Sequence, residues 1–83
     1  MDVEAKVKEI LLEILDVKEE EIGLRAEFIN DLGATSIDLV EILTAIQNTF
    51  DINFDEAQAS KIKTVQDVIN VIQDALNTKQ AAS

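Results

Sequence analysis

The chain predicts an all-α fold: a four-helix bundle of three longer helices and one short one, with a long loop between the first two helices. Apolar residues recur at helical spacing in three separate stretches, and no stretch of useful length alternates apolar with polar residues as a half-buried strand would. The chain is also short, 83 residues, which makes one small domain whose helices share a single modest core.

The first helix is expected over residues 2–16, where Val3, Val7, Ile10, Leu11 and Ile14 make the apolar stripe. Asp2–Lys6 and Glu4–Lys8 are i,i+4 pairs in the favourable order, each contributing about 0.2–0.5 kcal/mol. Residues 17–35 form a long connection. Its acidic run Glu19-Glu20-Glu21 reads as a solvated turn, and Ile22, Leu24, Phe28, Ile29 and Leu32 are expected to tuck the loop onto the core. A loop this long in a compact domain is either functional or host to a short extra helix.

The second helix is expected over residues 36–50, with a wide apolar face from Ile37, Leu39, Val40, Ile42, Leu43, Ile46 and Phe50. Residues 51–55 break it, and a short helical turn follows near residues 56–62. Thr64 is placed to cap the last helix, with Asp67 at the capping-box position and Val65, Val68, Ile69, Ile72 and Leu76 as its buried stripe. The helical domain is drawn as residues 1–76, and residues 77–83, polar and small, as a flexible frayed tail.

Composition narrows the function. The chain has no histidine and no cysteine, so Ser–His–Asp and Cys–His arrangements, disulfides and thiolate metal sites are all impossible. Seventeen acidic residues against seven basic give a net charge of −10, which repels nucleic acid and anionic lipid and attracts basic protein faces. The start lacks the charge and apolar pattern of a signal peptide, and no apolar run approaches the ~20 residues of a membrane span. The expectation is a cytoplasmic monomer with no catalytic residue, no metal site, and no nucleic-acid or membrane partner.

One run stands apart: Asp31-Leu32-Gly33-Ala34-Thr35-Ser36-Ile37-Asp38. It sets a serine hydroxyl where a glycine turn enters an amphipathic helix, near unpaired N–H groups and the positive end of the helix dipole, which suits a phosphate ester. The same residues also match a capping box, in which Thr35 caps, Asp38 reaches back and Ser36 merely begins the helix. The residues alone leave both readings open. Asp31, Asp38 and Glu41 around Ser36 read either as a solvated face or as a docking patch for arginine and lysine, with Leu39 and Thr44 as further contacts or, for Leu39, core. Asp51, Asn53 and Asp55 mimic the start of a calcium loop, but the sixth position is Glu56 where glycine is required and the twelfth is Ile62 where glutamate is required.

Asp31-Leu32-Gly33 with Ser36, then Asp38, Val40-Glu41, Phe50-Asp51-Ile52 and Lys61-Ile62-Lys63-Thr64-Val65, together with Val7-Lys8-Glu9-Ile10 in the first helix, resembles the acyl carrier proteins over nearly the whole domain. The resemblance implies that Ser36 receives 4′-phosphopantetheine from coenzyme A through a phosphopantetheinyl transferase, normally magnesium-dependent. The arm's thiol would hold acyl intermediates as thioesters for fatty-acid-like or polyketide-like biosynthesis. It further implies that Asp31, Leu32, Gly33, Thr35 and Asp38 shape the modified turn. Ile37, Asp38, Leu39, Glu41 and Thr44 would meet the transferase and the acyl-transferring and condensing enzymes through their basic docking faces. Val40, Ala45, Ile46, Phe54, Ala59 and Ile62 would line a pocket for short acyl chains.

Three departures from the family's usual pattern point to a specialised member: Thr35 where an acid is usual, Gln47-Asn48-Thr49 where the second helix is usually acid-rich, and Asp55 where proline is common. An aminoacyl or peptidyl carrier and an unmodified helical interaction module are the alternative readings.

Overall fold

The computed structural model describes residues 2–82, with side chains described through Thr78. Four α-helices follow one another: α1 (Val3–Ile14), α2 (Ser36–Phe50), α3 (Glu56–Ser60) and α4 (Val65–Ala82), with a single 3₁₀ turn at Glu19–Glu21 in the long connection. No strand occurs among the described residues; an isolated bridge pairs Glu27 with Thr64. α1 packs on both α2 and α4, and Val7, Leu11, Phe28, Ile42, Ile46, Val65, Val68 and Ile72 form the fully enclosed centre. Among the described residues no helix is long and apolar enough to cross a membrane.

Each helix begins on a side-chain cap. Asp2 accepts from the Ala5 N–H at 3.3 Å, so its carboxylate serves the backbone, and Lys6 pairs with Glu9 at 3.4 Å in place of the expected Asp2. The Glu4–Lys8 pair forms as expected, at 3.3 Å. α3 starts on a reciprocal box between Asp55 and Gln58. α4 starts on the expected Thr64–Asp67 box, and runs to Ala82, so the segment expected to fray from residue 77 has helical backbone up to that residue; Ser83 lies outside the described residues.

Asp67 closes more than its own helix. Its Oδ2 accepts from the N–H groups of both Lys63 and Thr64, each at 3.0 Å. The Thr64 N–H is the main cause holding its carboxyl below the ordinary 3.8; partial burial opposes the shift, and the Lys63 N–H, the Thr64 side chain and the Lys63 charge add to it. A carboxyl depressed on folding stabilises the fold above its unfolded value and loses that contribution as pH falls through the folded value. Asp67→Ala is therefore expected to cost about 1 kcal/mol at neutral pH, the typical worth of such a cap. The gap from the parent protein should narrow below pH 3.8, read from urea unfolding at both pH values.

The long loop is held by backbone bonds to the head of α4. The Phe28 N–H donates to the Lys63 carbonyl at 3.1 Å, while the Val65 and Gln66 N–H groups donate to the carbonyls of Ala26 and Leu24 at 3.0 and 2.9 Å. Ile22, Phe28 and Leu32 are buried as expected, but Leu24 and Ile29 are 40% and 55% exposed. Ile29 lies in the turn that follows the bridge, where Phe28 takes the inward position and Ile29 stays at the surface. Leu24 sits in the turn whose carbonyl is directed at α4.

Past α2, Asp51 adopts the left-handed conformation (φ 54°) as its C-cap, and the chain turns toward α3. Gln47 holds this turn. Its Nε2 donates to the Leu43 carbonyl at 3.2 Å and its Oε1 accepts from the Phe54 N–H at 2.8 Å. Gln47→Ala removes both bonds in a half-buried setting and should cost about 1–3 kcal/mol. Gln47→Glu keeps only the acceptor and should fall between; equal stability of all three in chemical unfolding would deny the residue this role.

Candidate functional site

The run singled out in the sequence forms a compact turn feeding α2. Asp31 and Leu32 donate their N–H groups to the Glu27 carbonyl at 2.9 and 3.0 Å, and Ala34 donates to the Phe28 carbonyl at 2.8 Å. Asp31 Oδ2 accepts from the Glu27 N–H at 2.7 Å, and Asn30 Nδ2 donates to Glu27 Oε1 at 2.7 Å. Gly33 takes φ +71°, a conformation that costs a side-chain-bearing residue about 1–2 kcal/mol, and an added Cβ would meet no atom within 4 Å. The glycine is thus needed for its backbone angle and not for space. Leu32 and Ala34 plug into the core, and Thr35 and Ser36 emerge into solvent.

Thr35 is the N-cap and Ser36 the first residue of α2. Asp38 N–H donates to Thr35 Oγ1 at 3.1 Å, and Asp38 Oδ2 accepts from the Thr35 N–H at 3.0 Å. The capping reading of these residues is therefore correct, and it is compatible with an accessible serine. The box satisfies the first and fourth N–H groups of the helix start. Those of Ser36 and Ile37 between them have no acceptor among the described residues.

At ~100° per residue, the buried stripe of α2 runs through Leu39, Ile42, Leu43, Ile46 and Phe50. Ile37 and Val40 lie off it and are 72% and 64% exposed, so the apolar face is narrower than expected. They share an exposed face with Glu41 and Thr44, whose spacing places them on the same side. Val40, expected in an acyl pocket, instead stands on that outer face, because the stripe that meets α1 is rotated away from it. Ile46 is fully enclosed in the core, Ile62 is buried, and Ala45, Phe54 and Ala59 are half-buried.

A cleft of about 240 Å³ opens beside the site, between the loop, α2 and the segment before α4. Phe28, Ile29, Leu39 and Ile62 give it an apolar lining, and Glu27, Asn30 and Lys63 add polar groups. Leu39 lies one turn beyond Ser36 on α2, so the cleft starts close to the hydroxyl. Of the residues expected to line a pocket, Ile62 alone reaches this cleft. Sequence reasoning missed Phe28 and Ile29 as lining. Their signal was an apolar pair inside an otherwise polar loop, but pairing with Lys63 is a long-range contact that periodicity does not report. Among the described residues no three acids come together as a metal site, the Asp51–Asp55 segment included.

The family described as "Phosphopantetheine attachment site" matches residues 5–72. The acyl carrier protein of Buchnera aphidicola subsp. Acyrthosiphon pisum (strain 5A) is 45% identical over 73 residues, covering 88% of this chain and 91% of that protein. The acyl carrier protein of strain Tuc7 is 46% identical over 72 residues, covering 87% and 90%. With the helical bundle and an exposed serine at the head of its second helix, these matches mean that the chain belongs to the acyl carrier protein family, whose cofactor is a covalently attached 4′-phosphopantetheine.

Proposed function

We propose that Ser36 carries the phosphopantetheine arm and that the chain holds acyl intermediates for a fatty-acid-like or polyketide-like biosynthetic line. The observation that supports this most is an exposed hydroxyl at the first position of α2, presented by a turn whose Leu32 and Ala34 are anchored in the core. The residues fit the group. Space is open around Gly33, and the N–H groups of Ser36 and Ile37 are the donors nearest in the chain to an anionic ester on Ser36. Bound there, the arm supplies a terminal thiol for thioesters, a group that a chain without cysteine lacks.

The remaining parts follow from placement. Thr35 and Asp38 hold the helix start, and Asp31 holds the turn before it. Ile37, Val40, Glu41 and Thr44 offer visiting enzymes an apolar and acidic face, and the net charge of −10 steers basic docking surfaces toward it. Those visitors are a phosphopantetheinyl transferase and then acyl-transferring and condensing enzymes. The cleft lined by Phe28, Leu39 and Ile62 is where a short acyl group folds back. Thr35 in place of an acid and the neutral Gln47-Asn48-Thr49 segment lower the charge of α2, which favours a dedicated pathway over routine fatty-acid synthesis.

The test is intact mass after incubation with coenzyme A, magnesium and a broad-specificity transferase, followed by peptide mapping. One phosphopantetheine adduct on the peptide holding Ser36 is expected. No adduct, or an adduct elsewhere, ends the proposal.

A further inference from the structure

We infer that the cleft beside the attachment turn selects short hydroxyacyl groups, with Lys63 and Glu27 as the pair that reads the hydroxyl. This rests on Ser36 carrying the arm and on its cargo folding back into that cleft. Size sets the first limit. The cleft holds about 240 Å³, roughly eight waters' worth, and a methylene group fills a similar volume. It therefore takes about six to eight non-hydrogen atoms. Its floor is closed: Phe28 and Ile62 are buried and Ile42 and Ile46 of α2 are fully enclosed, so a longer chain enters only by displacing packed core.

Polarity sets the second limit. The apolar walls come from Phe28, Ile29, Leu39 and Ile62, while the polar groups gather on one edge. Glu27 forms the bridge to Thr64, the Phe28 N–H donates to the Lys63 carbonyl at 3.1 Å, and Asn30 Nδ2 donates to Glu27 Oε1 at 2.7 Å. The Asn30 contact occupies one carboxylate oxygen of Glu27 and leaves Oε2 without a partner among the described residues. The Lys63 side chain likewise makes no hydrogen bond or ion pair among the described residues. Its charge acts on Asp67, whose Oδ2 is already taken by two backbone N–H groups. The edge thus sets one cationic donor beside one free acceptor. A hydroxyl can accept from the first and donate to the second, a keto oxygen can only accept, and a methylene can do neither. A chain ending in a carboxylate would meet Lys63 together with the like charge of Glu27 held next to it. Because Glu27 is half-buried and Lys63 exposed, the gain is that of an ordinary hydrogen bond and not of a fully enclosed one.

The experiment loads the full chain from acyl coenzyme A thioesters with a broad-specificity transferase and magnesium, using butyryl, both enantiomers of 3-hydroxybutyryl, acetoacetyl and decanoyl groups. Cleavage of each thioester by hydroxylamine is followed by intact mass on fully loaded protein. Dividing by the rate for the same thioester on free pantetheine gives the shielding that the protein provides. The better 3-hydroxybutyryl enantiomer should be shielded about three- to tenfold more than butyryl. Acetoacetyl should fall between them, and decanoyl should be shielded no better than butyryl. Lys63→Met, which keeps the length of the side chain, should erase the hydroxyl's advantage and leave butyryl within about twofold. Glu27→Gln, which keeps an acceptor for Asn30 but not a second one for the hydroxyl, should reduce that advantage. Equal shielding of butyryl and both hydroxybutyryl forms overturns the inference, as does an advantage that survives Lys63→Met. Decanoyl shielded more than butyryl overturns the size limit. A parent chain that takes no adduct on Ser36 fails at the loading step, before any shielding is measured, and overturns the underlying reading and this inference with it.

Discussion

Ser36→Ala should abolish the phosphopantetheine adduct completely while leaving the protein folded. The hydroxyl is solvent-facing and makes no bond within the described residues, so removing it breaks nothing in the bundle. Alanine is also a better helix former than serine by a few tenths of a kcal/mol. The cap that starts α2 belongs to Thr35 and Asp38 and survives the change. The expected result is a chain with the parent's melting temperature to within a few degrees and an unmodified mass after exhaustive incubation with coenzyme A and transferase. A variant that still gains the mass of the arm would show that another hydroxyl is the acceptor. A variant that unfolds would show that the serine has a structural duty these contacts do not contain.

Phe28→Ala should be the most damaging single truncation. Phe28 is 1% exposed and is the largest of the fully enclosed side chains. Deleting a buried phenyl group commonly costs about 3–5 kcal/mol, because the cavity left behind collapses only in part. The whole stability of a chain this long is on the order of 4–12 kcal/mol, at 0.05–0.15 kcal/mol per residue, so the variant should be partly unfolded near body temperature. The effect should also reach the site. Phe28 donates its N–H to Lys63 and accepts from Ala34 through its carbonyl, so the turn that presents Ser36 is anchored by the same residue that fills the core. Urea unfolding read by circular dichroism measures the first effect, and the loading rate at low temperature measures the second. A loss under ~1 kcal/mol would mean the loop is held by its backbone bonds alone.

Much of this molecule was legible in residues a few positions apart. Helix existence, the extent of α2, the Thr64–Asp67 box, the glycine at positive φ and the Thr35–Asp38 box all rest on i,i+3 and i,i+4 chemistry, which a linear sequence carries in full. The serine's setting was readable for the same reason. Errors arose where a local pattern had two faces to choose from. Ile37 and Val40 looked like core, as did Leu24 and Ile29, yet hydrophobicity says only that a side chain prefers burial, and a helix of this width meets its neighbours along one stripe.

Packing decided the rest. The rotation of α2 against α1, the bridge from Glu27 to Thr64 and the cleft between Phe28, Leu39 and Ile62 join residues that belong to different elements of the chain. No periodicity encodes such contacts, because they form only when separate elements bury their surfaces together. Thus the attachment turn is written in the order of neighbouring residues. The surface that greets a partner, and the hollow beside it, arise from the way the helices and loop close around one core.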